Sequence, residues 1–192
     1  VIVCDDADID AAVKALVPFK FRNAGQVCIS PTRFYVQDGV YDKFVDAFVA
    51  LTEKLKVGDG QAEGVAMGPL AMKRRVGAVA GFVDDAKARG AKILTGGATL
   101  EGTGSFFAPT IIADAPDDSR LMTDEPFGPV AGMVRFKSLD EALARANALP
   151  YGLAGYAFTQ STKAALQIQN NLEVGMLTIN HMGLTLAETP FG

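Results

Sequence analysis

Short apolar runs rich in β-branched residues alternate with amphipathic helical stretches along almost the whole sequence, and this alternation restricts the fold more than any other feature. "VIVC" (1–4) reads as the end of a buried strand. "DIDAAVKALVPFKF" (8–21), with its acidic first turn and helically spaced apolar residues, reads as a helix. "RFYVQ" (33–37) reads as a strand, and "VYDKFVDAFVALTEKLKV" (40–57) as a helix with Phe44, Phe48, Leu51 and Leu55 on one stripe. A Gly-rich connection leads to a further helix over 71–89. Strands are expected at 91–96, 106–114 and 129–136, separated by Gly/Pro turns. A helix at 138–149 opens on a capping box formed by Ser138 and Glu141. The strand "AGYAFT", the helix "TKAALQIQNNL" and the strand "GMLTIN" complete the pattern. Strands joined through helices run parallel, and a parallel sheet must be covered on its faces. The expected fold is therefore α/β, a mainly parallel sheet with helices on both faces. No repeat, low-complexity stretch or linker interrupts it, so residues 1–192 are expected to form one domain.

Charge narrows the partners. The 18 basic and 22 acidic side chains leave a formal charge of −4, and the only basic run, "KRR" at 73–75, is expected on the solvated face of a helix. No cluster suits a row of phosphates, so nucleic acid is not an expected partner. No stretch approaches the ~20 consecutive apolar residues that span a bilayer, and "VIVCDDADID" lacks the basic start of a signal peptide. Cys4 and Cys28 lie far apart in a chain that needs no disulfide to hold its core, so both thiols are expected free in a reducing cytoplasm. With a single histidine, His181, and no Cys/His spacing, no metal site is expected. The strand-like start and the "ETPFG" end, neither showing polar fraying, suggest an excised piece of a longer protein.

One cysteine stands out by context. Cys4 sits inside "VIVC" and reads as core. Cys28 sits in "NAGQVCIS", a turn between two apolar segments, where Gly25 allows a tight reversal, Gln26 supplies a polar neighbour and Ile29 an apolar wall. An accessible thiolate with backbone donors nearby is the arrangement needed for nucleophilic attack on a carbonyl; a buried structural thiol is the alternative reading. "DEPFGPV" (124–130) holds Glu125 and Phe127 between two prolines, presenting a carboxylate and a ring from a rigid loop, or simply forming a plugged surface turn. Asn180, His181 and Thr185 follow the last strand, where sheets of this type place ligands. His181 there suits either a base for Cys28 or a solvated loop residue. Arg22, six residues before Cys28, suits a substrate carboxylate or a surface ion pair.

"FRNAGQVC", then "EPFGPV" about a hundred residues later, then the segment from Asn180 to "TPFG" resemble, in order and separation, the three signatures of the aldehyde dehydrogenase superfamily. The likeness runs from Val1 to Gly192 and covers the catalytic domain. "FRNAGQVC" followed by "RFYVQDGVYDKF" is most similar to the succinate-semialdehyde dehydrogenases. The resemblance implies oxidation of an aldehyde, with a carboxylated semialdehyde as the expected substrate and NAD or NADP as cofactor. It implies that Cys28 is the nucleophile and that its own N–H helps hold the oxyanion. It implies that Glu125 binds the nicotinamide ribose hydroxyls and that Phe127 lies beside the nicotinamide. Arg22 and Thr185 would meet the remote carboxylate of the substrate, and Asn180 with the following loop would line the aldehyde tunnel.

The departures are equally specific. The general-base glutamate, the side-chain oxyanion asparagine, most of the cofactor-binding domain and the last strand of the oligomerisation arm fall outside these residues. The isolated chain is therefore expected to be inactive and the full-length protein a homo-oligomer. Where some members carry a second, redox-sensing cysteine, this chain has Ser30, so no such switch is expected. The rival reading is a cysteine hydrolase or acyl transferase working through Cys28 and His181 without nicotinamide.

Overall fold

The computed structural model describes residues 1–102 and 104–192. Seven strands form one sheet: β1 (Ile2–Val3), β2 (Arg33–Gln37), β3 (Lys92–Thr95), β4 (Thr110–Ala113), β5 (Val130–Phe136), β6 (Ala154–Phe158) and β7 (Met176–Ile179). Their spatial order is β3-β4-β5-β2-β1-β6-β7, and every pairing is parallel except that of β3 with β4 at one edge. The mainly parallel sheet expected from the alternation is what forms. β5, Val-Ala-Gly-Met-Val-Arg-Phe, is buried at every position but Arg135, the unbroken apolar pattern of a strand covered on both faces.

The helices are α1 (Ile9–Phe21), α2 (Tyr41–Thr52), α3 (Lys73–Ala88), α4 (Arg120–Thr123), α5 (Leu139–Ala146) and α6 (Thr162–Asn171). Asp8, Ser138 and Ser161 cap α1, α5 and α6, accepting the N–H groups of Ala11, Glu141 and Ala164. Each cap is worth about 1 kcal/mol. Helix α1 packs on α2, and α5 on α6. The chain steps one way across the sheet from β1 to β2 and the other way from β5 through β6 to β7. Right-handed crossovers then place the two helix pairs on opposite faces.

Three elements differ from the sequence pattern. The helix expected over 40–57 ends at Thr52, because the Lys56 carbonyl accepts the Ala66 N–H at 2.8 Å and Val57 bridges Met67, drawing the chain into extended pairing. The strand expected over 106–114 is confined to 110–113, with Phe107 bridging back to Thr99 instead. Helix α4 is a single turn, too short for any periodicity to announce.

What matters for the site is which edge of the sheet each loop reaches. Helix α1 carries the chain from the carboxyl ends of the strands back to their amino ends. The α1–β2 loop with Cys28, the loop before β5 with Glu125 and the start of β6 therefore share the amino edge. Strand β7 delivers Asn180 to the opposite edge.

Candidate active site

The Cys28 loop is built from a strained reversal. After α1, three consecutive residues adopt left-handed backbone conformations: Asn23 (φ 52°), Ala24 (φ 52°) and Gly25 (φ 69°). For alanine that geometry costs of order 1–2 kcal/mol, so the surroundings must hold it. They do. The Asn23 side-chain amide donates to the Gln26 carbonyl at 2.9 Å, and the Gln26 side-chain amide returns to the Asn23 carbonyl at 3.2 Å. The Gln26 Oε1 accepts the Ala71 N–H at 3.1 Å. Gln26 is thus a brace tying the turn to a distant loop.

The next turn presents the sulfur. The Ser30 N–H donates to the Val27 carbonyl at 2.9 Å, leaving Cys28 and Ile29 at the apex. Cys28 is exposed and Cys4 is buried; both are free thiols. Burial, with Asp6 adding to it, pushes the Cys4 thiol up to about 11, so Cys4 is the inert one.

Tyr156 on β6 was not singled out by the sequence pattern, which shows only an aromatic residue in a strand. It is 2% exposed, and its hydroxyl donates to the Ile29 carbonyl at 2.7 Å. Burial holds the phenol well above its usual range, with the Arg22 cation opposing the shift. Phe19 packs edge-on to Tyr156 at 5.6 Å between centroids, and the Arg22 guanidinium lies 4.6 Å from the centre of the Phe19 ring. Arg22 is exposed and makes no ion pair among the described residues, so the surface-pair alternative does not form here.

The "EPFGPV" loop meets the cysteine loop directly. Gly128 is in backbone contact with Gly25. Arg75, expected on a solvated helix face, instead turns inward and donates to the Pro126 carbonyl and, at 3.3 Å, to that of Phe127. Phe127 itself is left-handed (φ 43°) and exposed, at 37% for the residue. Glu125 is exposed, and its carboxylate has no hydrogen-bond or ion-pair partner among the described residues. A carboxylate accepts hydrogen bonds, and one left free near an open ring has the chemistry that fits the two hydroxyls of a ribose and an adjoining flat heterocycle.

Cys28 and Glu125 line one cavity of about 580 Å³, together with Ile29, Pro126, Leu153 and Tyr156. It opens at the amino edge of the parallel strands. Open parallel sheets more usually place ligands at the carboxyl edge, and the difference follows from α1 returning the thiol to the other side.

Asn180, His181 and Thr185 are not among the walls of this cavity. Asn180 (φ 56°) clasps the residue after β6: its Oδ1 accepts the Thr159 N–H at 3.0 Å and its Nδ2 donates to the Thr159 carbonyl at 2.7 Å. The Asn180 amide is thus committed across the strand ends, and the resemblance's aldehyde-tunnel role for Asn180 and the loop after it stays an expectation. His181 Nδ1 accepts the Gly183 N–H at 2.8 Å. The tail after Thr185 runs back along the sheet, bringing Gly192 against Gly175 and Leu153, at the rim of the Cys28 cavity. Among the described residues no cluster of three or more His, Cys, Asp or Glu side chains suits a metal ion, and no helix is long and apolar enough to cross a membrane.

Comparison with known proteins covers the whole chain. Residues 1–192 match the profile described as Aldehyde dehydrogenase family. The chain is 51% identical over 192 residues to a putative 4-(hydroxymethyl)benzenesulfonate dehydrogenase of Comamonas testosteroni, covering all of this chain and 40% of that protein. It is 43% identical over 191 residues to the mitochondrial succinate-semialdehyde dehydrogenase of Arabidopsis thaliana, covering 100% of this chain and 36% of that protein. The crystal structure of an Escherichia coli NADP-dependent enzyme superimposes with a TM-score of 0.97 at 40% identity, over all of this chain and 40% of that one. The chain thus spans about 40% of the length of the relatives it matches.

Proposed function

The chain belongs to the aldehyde dehydrogenase family, and from that premise we propose that it is the thiol-bearing domain of an NAD(P)-dependent enzyme that oxidises an aldehyde to an acid. The observation that carries the reading is the pairing, in one cavity, of an exposed Cys28 with a Glu125 that has no partner among the described residues. In this reading the Cys28 thiolate adds to the aldehyde carbon, and the carbonyl oxygen takes up negative charge beside the Cys28 N–H. Glu125 accepts hydrogen bonds from the ribose hydroxyls of the dinucleotide, and the Phe127 ring lies along its nicotinamide. The dinucleotide, when bound, supplies the acceptor for the hydride that leaves the carbon. The acyl group left on Cys28 is released by water as the acid. One aldehyde, one water and one oxidised cofactor give one acid, one reduced cofactor and one proton.

The substrate is an aldehyde with an anionic group at its far end. The Arg22 guanidinium supports this: it has no ion pair among the described residues and lies over the ring of Phe19, which packs on Tyr156 in the cavity wall. So do the carboxylated and sulfonated compounds in the names of the two relatives. Thr185, in the loop before the returning tail, adds a hydroxyl to the same anion. Asn180 acts through the loop it launches, whose far end reaches the cavity rim. The general base, the second oxyanion donor and the phosphate-binding residues come from sequence outside these 192 residues, and the full-length protein works as a homo-oligomer.

The test is nicotinamide reduction by the full-length enzyme, with succinate semialdehyde and 4-formylbenzenesulfonate as substrates and NAD and NADP compared. Cys28→Ser should abolish reduction while cofactor binding persists. Reduction that survives Cys28→Ser would overturn the reading.

A further inference from the structure

Lys20 is the only lysine, arginine, aspartate or glutamate that is buried among the described residues, at 1% exposed. It is the second-last residue of α1. Its amine donates to Ser30 Oγ at 3.4 Å, and the Ser30 hydroxyl donates to the Lys20 carbonyl at 3.1 Å. No carboxylate lies within 4.0 Å of the amine among the described residues. Burial pushes the amine down to about 7, with no charged neighbour contributing. A core that needed only volume here would take methionine or leucine at lower cost, because an amine taken out of water with one long hydrogen bond is expensive.

The amine reaches one specific place. Ser30 closes the turn that has Cys28 and Ile29 at its apex. Tyr156 already fixes that turn on one side through the Ile29 carbonyl. We propose that Lys20 and Ser30 form the second anchor, a two-way clamp that holds the Cys28 turn against the end of α1, with Lys20 a positioning residue for the thiol. The proposal rests on Cys28 being the nucleophile. The clamp is reciprocal: donation to the Lys20 carbonyl turns a lone pair of the hydroxyl toward the amine. Without the amine the hydroxyl loses that orientation, and without the hydroxyl the amine has no acceptor. The two groups therefore act as one unit.

Iodoacetamide alkylation of Cys28, read apart from Cys4 by mass spectrometry across a range of pH, tests the clamp in Lys20→Met, Ser30→Ala, the double variant and Ser30→Thr. Lys20→Met keeps the side-chain length and removes a buried amine, so folding is expected to survive; thermal melts check each variant. Each single variant should change the high-pH limiting rate by about 3-fold or more, the double variant should do no more than the larger single one, and Ser30→Thr should lie within about 2-fold of the parent. Effects that multiply in the double variant, or single variants that fold and leave the rate unchanged, would refute the clamp. Alkylation needs neither aldehyde nor nicotinamide. A failed clamp would leave nicotinamide reduction through Cys28 standing, and an absence of that reduction would leave the clamp measurable.

Discussion

Gly25 and Gly128 meet backbone to backbone: a Cβ built on Gly25 would sit 2.2 Å from the Gly128 carbonyl oxygen and 2.6 Å from its carbonyl carbon. Two signatures about a hundred residues apart are thereby packed directly against each other, the cysteine turn against the Glu125 loop. Neither side has a flexible side chain able to yield.

Gly25→Ala should consequently damage both fold and site. The added methyl faces backbone, and φ of 69° is already unfavourable for alanine. A loss of about 2–4 kcal/mol in unfolding free energy is expected, read by denaturant titration, together with a changed rate of Cys28 alkylation. A variant with parental stability and thiol reactivity would mean the two loops can separate freely.

Tyr156→Phe removes the donor to the Ile29 carbonyl while keeping the ring against Phe19. Leaving that carbonyl unpaired should cost about 1–3 kcal/mol. In the full-length enzyme kcat should fall more than the affinity for cofactor, because the turn that carries the sulfur loosens while Glu125 is untouched. Steady-state kinetics with cofactor titration would separate the two effects.

Arg22→Ala should discriminate between substrates. Activity of the full-length enzyme on anionic aldehydes should fall by about 2 kcal/mol or more in kcat/KM, the size of removing one partner from a desolvated charge pair. Uncharged aldehydes of similar length should be spared. Equal losses on both would make Arg22 a packing residue on Phe19 and nothing more.

Stability should rise with pH through the window set by Lys20. Its amine titrates at about 7 in the folded chain against an ordinary 10.5. Between those values the unfolded chain holds the extra proton, so raising the pH favours the folded state, by up to about 1.4 kcal/mol per pH unit for this one group. Below pH 7 both states are protonated and the penalty is constant. Cys4, shifted from 9.0 to about 11, opposes the trend from about pH 9 upward. The difference between parent and Lys20→Met in urea titrations from pH 7 to 9 isolates the effect; identical slopes would contradict it.

Periodicity and turn residues carried the element order, because burial on a sheet or helix face is a local demand that each segment must meet by itself. The apolar run of β5 and the Ser138 cap are legible for that reason, and so is the contrast between Cys4, buried just after a strand, and Cys28, exposed in a turn. Helix α4 left no mark, since one turn is shorter than the period that would reveal it.

Contacts between distant segments belong to the tertiary structure alone. Nothing near Arg75 in sequence says that its guanidinium serves the Pro126 and Phe127 carbonyls, or that Tyr156 holds Ile29. Nor does any local pattern say that Asn180 ends on the opposite edge of the sheet from Cys28. That edge is chosen by the direction of α1 and the parallel pairing of β1, β2, β6 and β7, and a strand's partners are set by the whole path of the chain. Residue types thus determined which groups are able to react, while the crossing of helices over the sheet decided which of them meet.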